Sequence, residues 1–315
     1  MKTNYNPAGF SCGAALRHAP RCACAAQARR RFGVALFGGL FGNLLATPVL
    51  AREGVDVGPK SSFTKFVSAD QIERAAAQQY LQLERDAQQK RARAPDNHPQ
   101  VLRLRAIAQR IIPFTEEWNP RARQWQWQVN LIGSQQINAF CMPGGKIAFF
   151  HGILSQLQLN DDEVGMIMGH EMAHALREHA RERIGKNMAT RGGLEIGAAI
   201  LGLGGLGRAA ADMGSQLLNL KFGREDETEA DLVGMELAAR AGYNPAAGVS
   251  LWNKMGAAAK GAPPAFLSTH PTGPTRIRDI EASLPKVQPL YARAPRPEQR
   301  FAPPAQQAPA PAAQR

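Results

Sequence analysis

The sequence predicts an α+β domain, mainly helical, with a small share of strand. Three observations carry this. Val101, Leu104, Ile107, Ala108 and Ile111 recur at helical spacing. WQWQVNLI, residues 125–132, alternates apolar and polar residues of strand-forming types. A long apolar stretch opens with Asn160 followed by Asp161, Asp162 and Glu163, a side-chain cap with acids in the first turn.

The front of the chain reads as a leader, 1–51. RRRFGVALFGGLFGNLLATPVLA has a basic cluster, an apolar run and then small residues, with cleavage expected before Arg52. Arg29-Arg30-Arg31-Phe32 matches a twin-arginine signal only in part, so general secretion is expected. The leader holds six basic residues and no acid. Without it, 32 basic residues face 26 acidic ones. With no basic stripe and no interleaved aromatics, that balance argues against nucleic acid as a partner. Cys12, Cys22 and Cys24 lie in the leader, which leaves Cys141 alone and excludes an internal disulfide. The expected localisation is the periplasm, exported and with peripheral membrane contact.

Residues 52–66 read as a linker and 67–286 as one domain. Ser68 with Gln71 forms a capping-box pattern for a helix reaching about residue 91. A second helix spans 100–112 and Pro113 stops it. In NAFCMPGGKIAFF, residues 138–150, a turn and Gly-Gly precede a strand at 146–150. The helix after Asn160 is expected to run about six or seven turns, to the cations Arg181, Arg183 and Lys186. LEIGAAILGLGGL, 194–206, is apolar and Gly-rich, too short and broken to span a membrane. Further helices are expected at 223–241, after Asn244-Pro245, and at 274–284. From 287 to 315 the chain is rich in Pro, Ala and Gln and is expected to be disordered.

The chemistry lies in GHEMAHALREH, 169–179. His170 and His174 are four apart and therefore about 40° apart on a helix, so both imidazoles can converge on one ion. Glu171 stands beside that face. This is H-E-x-x-H, in which two histidines bind zinc and the glutamate serves the attacking water. Its neighbours, Met166, Ile167, Met168, Met172 and Leu176, are apolar, and unpaired polar groups would be costly to bury among them. His179 lies about 180° from His170 and cannot reach the same ion unless the helix breaks. It reads as a surface or packing residue. A third ligand must come from elsewhere. GREDETEADLVG, 223–234, offers Glu227 with Asp231 behind it, or the rival pair Glu225 and Glu229.

These segments together resemble the HtpX, BepA and LoiP group of gluzincin metalloproteases, relatives of the CAAX prenyl protease and the Oma-type protease. The resemblance runs from about 68 to 285. NAFCMPGGKIAFFHGIL is similar to the group's N-A-F-x-x-P-G-G segment, GREDETEAD to its S-R-x-x-E-x-E-A-D segment, and LSTHPTGPTRIRDI to its T-H-P segment followed by R-I. Gly223 replaces the usual serine. The resemblance implies a zincin-like fold with a small β-sheet beside the H-E-x-x-H helix, one zinc ion held by His170, His174 and Glu227, and Asp231 behind a ligand histidine. It also implies that His270 can approach the zinc, and that Arg276 matches the group's arginine. No tetratricopeptide repeats follow.

The expected function is zinc-dependent cleavage of unfolded or misassembled envelope proteins, a protein quality-control role. Glu171 serves as base, and His270 and Arg276 are candidate oxyanion donors. The 146–150 strand is expected as an edge that takes substrate by strand addition. Expected partners are unfolded or misfolded proteins and the envelope or outer-membrane assembly machinery. The alternative is a non-catalytic zinc-binding chaperone or assembly factor, which would need the ligands but not Glu171.

Overall fold

The computed structural model describes residues 52–190, 217, 220–260, 264–271 and 275–305. All of these fall in the unit that begins at Ala51. The expected leader, the Gly-rich stretch 194–206 and residues 306–315 lie outside the described residues.

Helix α1, Ala69–Gln89, turns Ile72, Ala75, Ala76 and Tyr80 inward. The side-chain cap expected at Ser68 does not form. Ser61 instead caps a 3-10 turn at Ser62–Phe66, just ahead of the helix. Helix α2, Pro99–Ile111, buries the predicted face and carries proline in its first turn, where a missing N–H costs nothing.

Three strands form the sheet: β1 Gln128–Ile132, β2 Ala139–Met142 and β3 Lys146–Phe150. Their order is β1-β3-β2, with β1 parallel and β2 antiparallel to β3. The β2–β3 hairpin turns at Gly144 and Gly145, both at positive φ, and a Cβ on Gly145 would stand 2.8 Å from Trp127. This corrects the expectation for 146–150. β3 is the central strand, and β2 is an edge. The apolar run of β3 is unbroken because neighbours cover it on both sides. Tyr80 Oη donates to the Ile147 carbonyl at 2.5 Å and anchors α1 to this strand.

Helix α3, His151–Gln156, leads into the central helix α4, Asp161–Leu176. Asn160 Oδ1 accepts the Glu163 N–H at 3.0 Å, and Glu163 Oε2 accepts the Asn160 N–H at 2.9 Å. Every α4 residue except Asp162 is buried. The helix expected to reach Lys186 instead breaks at Arg177 and Glu178. Glu178 is left-handed, with φ 64°, and α5 begins at His179 and runs to Thr190. That φ costs about 1–2 kcal/mol. Ion pairs from Glu178 to Arg181 and Lys60 hold the turn.

Helix α6, Arg224–Arg240, packs along α4. The two meet backbone to backbone. A Cβ on Gly169 would lie 2.5 Å from the Gly234 carbonyl, and one on Gly234 would lie 2.6 Å from the His170 amide. Helices α7, Ala247–Ala258, α8, Ala265–Thr269, and α9, Arg276–Arg293, follow.

Both flanks of the expected domain are tied down. In 52–66, Arg52 and the Val55 N–H bind Glu236, which is fully buried. Helix α9 continues past 286, burying Ile280, Ser283, Val287 and Leu290 and keeping Pro285 and Pro289 exposed. Beyond it, the Phe301 N–H reaches Asp161 Oδ2 at 2.8 Å, and Gln100 donates to the Ala302 carbonyl at 3.0 Å. Through residue 305, the segment expected to be disordered is therefore held against α2 and the start of α4.

Candidate active site

Helix α4 brings His170, Glu171 and His174 to one place, and α6 brings Glu227. The glycine contact at 169 and 234 permits the approach. His170, His174, Glu227 and His270 form a buried cluster whose donor atoms all lie within 4.8 Å of one another. His170 Nε2 is 3.1 Å from His174 Nε2 and 3.6 Å from Glu227 Oε2. His174 Nε2 is 3.5 Å from Glu227 Oε1. His270 Nδ1 is 3.0 Å from Glu227 Oε1 and 3.3 Å from His170 Nε2.

Four donors on a tetrahedron around zinc, with bonds near 2.0–2.1 Å, stand about 3.3 Å apart. The cluster fits zinc in spacing, in donor chemistry and in burial. Glu171 Oε1 is buried with no hydrogen-bond partner, an arrangement that an attacking water would satisfy.

The charges follow from burial and neighbours. Burial pushes the Glu171 carboxyl up, against the opposing charges of His270 and His170. Burial holds His174 well below its ordinary value, and the surrounding histidines add to this. Burial also works against charge on Glu227, but hydrogen bonding by His270 and the neighbouring cations outweigh it and keep the carboxyl low. For His270 burial again opposes charge, and the carboxylates Glu171 and Glu227 prevail and raise it.

Asp231 Oδ1 lies 3.0 Å from His170 Nδ1. Arg276 does not face the cleft as an oxyanion donor. Its Nε and Nη2 donate to both oxygens of Asp231 at 2.6 and 2.8 Å, and its Nη1 lies 2.8 Å from Glu227 Oε2. Its guanidinium also covers Trp252, 3.4 Å from the ring centre. Arg276 therefore fixes the two carboxylates from behind. His270 is not on a free loop. Phe266 stacks on it at 4.4 Å, and Phe222 lies 5.3 Å away on a tilted plane.

Two further groups have contacts that the sequence did not reveal. The break at Glu178 turns His179 back onto α4, so its Nδ1 is 2.9 Å from His174 Nδ1 and its Nε2 is 2.6 Å from Glu229 Oε2. His179 is fully buried. Glu229, weighed only as a rival ligand, also accepts from Arg177. No glycine or proline marks the break, so spacing along a continuous helix placed His179 on the wrong side.

The cleft beside Glu171 is walled by β2, including Ala139, Cys141 and Met142, and by Leu220 and Phe222. The backbone of Cys141 hydrogen-bonds Glu171. No helix among the described residues is long and apolar enough to cross a membrane.

The model of peptidase family M48 matches residues 99–284. Among similar proteins is the mitochondrial metalloendopeptidase OMA1 of Schizosaccharomyces pombe. It is 36% identical over 197 residues, covering 62% of this chain and 56% of that protein. The metalloprotease LoiP of Escherichia coli K12 is 27% identical over 150 residues, covering 47% and 58%. The beta-barrel assembly-enhancing protease of Escherichia coli O157:H7 is 27% identical over 173 residues, covering 52% and 35%. The chain spans about half the length of the curated relatives it matches first, or less. With a match that takes in more than half of its residues, including every member of the buried cluster, the chain belongs to peptidase family M48.

Proposed function

We propose that the protein is a zinc-dependent endopeptidase that cleaves unfolded or misassembled proteins of the cell envelope. The observation that carries this reading is Glu171. Its carboxyl is buried, raised and unpartnered at one oxygen, beside a four-donor cluster. A chaperone that only held the metal would have no use for such a group.

His170, His174 and Glu227 would hold the ion. Zinc, when bound, polarises the scissile carbonyl and lowers the pKa of a coordinated water to about 7. Glu171 takes the proton from the attacking water and later passes it to the leaving amine. Asp231 keeps the proton of His170 on Nδ1, and Arg276 keeps both Asp231 and Glu227 in place. Substrate lies along β2, the edge strand, in place of the β3 edge first expected. Strand addition reads backbone more than side chains, which suits extended, unfolded segments.

The apolar run and small residues before Arg52 support export to the envelope. N-terminal sequencing of the exported protein should then begin at Arg52. A start at Met1 would sink that part of the reading.

Casein digestion with and without a chelator tests the activity. Glu171→Gln should retain zinc and fold yet lose hydrolysis by about 100- to 10,000-fold. Equal turnover in this variant would refute the proposed base.

A further inference from the structure

We infer that His179 and Glu229 position His174, so that a carboxylate steers this ligand through a second imidazole. To offer Nε2 to an ion, His174 must carry its proton on Nδ1. The atom facing that proton is His179 Nδ1, at 2.9 Å. This nitrogen must accept, so His179 carries its own proton on Nε2. That N–H points at Glu229 Oε2, 2.6 Å away, and a carboxylate can only accept. One placement of protons satisfies the whole chain. It runs from Glu229 through His179 to His174, and it leaves the His174 Nε2 lone pair aimed at Glu227 and His170.

The other end is fixed as well. Glu229 Oε1 accepts from Arg177, which also donates to the Gly58 carbonyl at 2.9 Å. Phe222 stacks on His174 at 4.0 Å and sets the plane of its ring. His170 is served differently, by Asp231 directly. The two ligand histidines thus have separate carboxylates, Asp231 at one bond and Glu229 at two. His179 and Glu229 are positioning residues, since neither offers an atom to the four-donor set and both act through His174. Without His179 the His174 Nδ1–H would be buried and unpaired, and the ring could carry its proton on the wrong nitrogen.

The inference rests on the proposed role of His174 as a ligand, so the test reads metal binding rather than proteolysis. Zinc affinity of the full chain is measured by chelator competition, cobalt(II) absorption reports the donor set, and the melting temperature of zinc-free protein reports the fold. His179→Leu should weaken zinc binding about 10- to 100-fold, and Glu229→Gln about 10-fold, both with altered cobalt bands. His179→Asn places an amide oxygen near the Nδ1 position and should recover most of the loss. If His179→Leu fails to fold, Glu229→Gln and His179→Asn decide. Wild-type zinc affinity in Glu229→Gln would overturn the inference. So would a lowered zinc-free melting temperature with zinc affinity unchanged, which makes His179 a packing residue only. A wild-type chain that binds no zinc would instead sink the proposed function.

Discussion

His270 sits in the cluster with Nδ1 toward Glu227 and Nε2 3.5 Å from Glu171 Oε1. It offers a fourth donor beside the other three, where a site for zinc would otherwise take water. We propose on this spacing that His270 gates the site, with the oxyanion role as the alternative. His270→Ala should raise basal cleavage of an unfolded substrate, because an inhibitory donor is lost. A fall of about a hundredfold or more would assign the oxyanion role instead. The residue was legible in the sequence through the family's T-H-P segment, but its setting was not. Phe266 stands one helical turn before it, in α8, but Phe222 comes from a distant segment, and nothing local announces that second wall. The same holds for His179. Its contact with His174 depends on one left-handed residue, Glu178, whose ion pairs to the distant Lys60 and the nearby Arg181 hold the turn without marking it in the sequence. The pairing of His170 with His174 was readable because helical spacing survives folding unchanged, whereas spacing left Glu227 beside Glu225 and Glu229 and only the family's E-x-E-A-D segment singled it out.

At the level of elements, the α4–α6 pair decides whether a metal site exists. Gly234→Ala puts a Cβ 2.6 Å from the His170 amide, against backbone that cannot rotate away. The helices must separate, which should cost about 1–3 kcal/mol. Zinc affinity should fall along with the melting temperature, although position 234 touches no ligand side chain. Equilibrium denaturation and chelator competition check the two effects, and unchanged values in both would show that α6 shifts freely. The sheet shows a different limit of sequence reading. The unbroken apolar run of β3 already signalled a central strand, but AFCM was read as part of a turn. With β2 missing from the count, β3 was left to stand as an edge. Four residues ending at Met-Pro-Gly-Gly are too few for alternation to identify.

For the whole molecule, the two flanks act as braces. The segment 294–305 covers a buried ion pair between Arg103 and Asp161, with Nε to Oδ1 at 2.7 Å, at the start of the central helix. Its Phe301 N–H satisfies the second Asp161 oxygen. Removing the chain after Arg293 should leave the cluster intact but cost about 1.5–3 kcal/mol for the lost hydrogen bond to a charged carboxylate. For a domain of this size that is a loss of several degrees, at about 2–4 °C per kcal/mol. Calorimetry of the truncated protein checks this, and an unchanged melting temperature would show that the segment merely lies on the surface. Composition concealed it. Proline and alanine after 286 suggested disorder, while Val287 and Leu290 continue the buried stripe that Ile280 and Ser283 begin in α9 and so carry the chain to 294–305.

The contact between Gly169 and Gly234 also has a genetic consequence. A clash in a core is commonly relieved by a smaller residue opposite. Here the opposing position is already glycine on either side, so nothing smaller exists. A strain carrying Gly234→Ala and selected for restored function should return true revertants at codon 234. Intragenic suppressors at codon 169 should be absent from the collection.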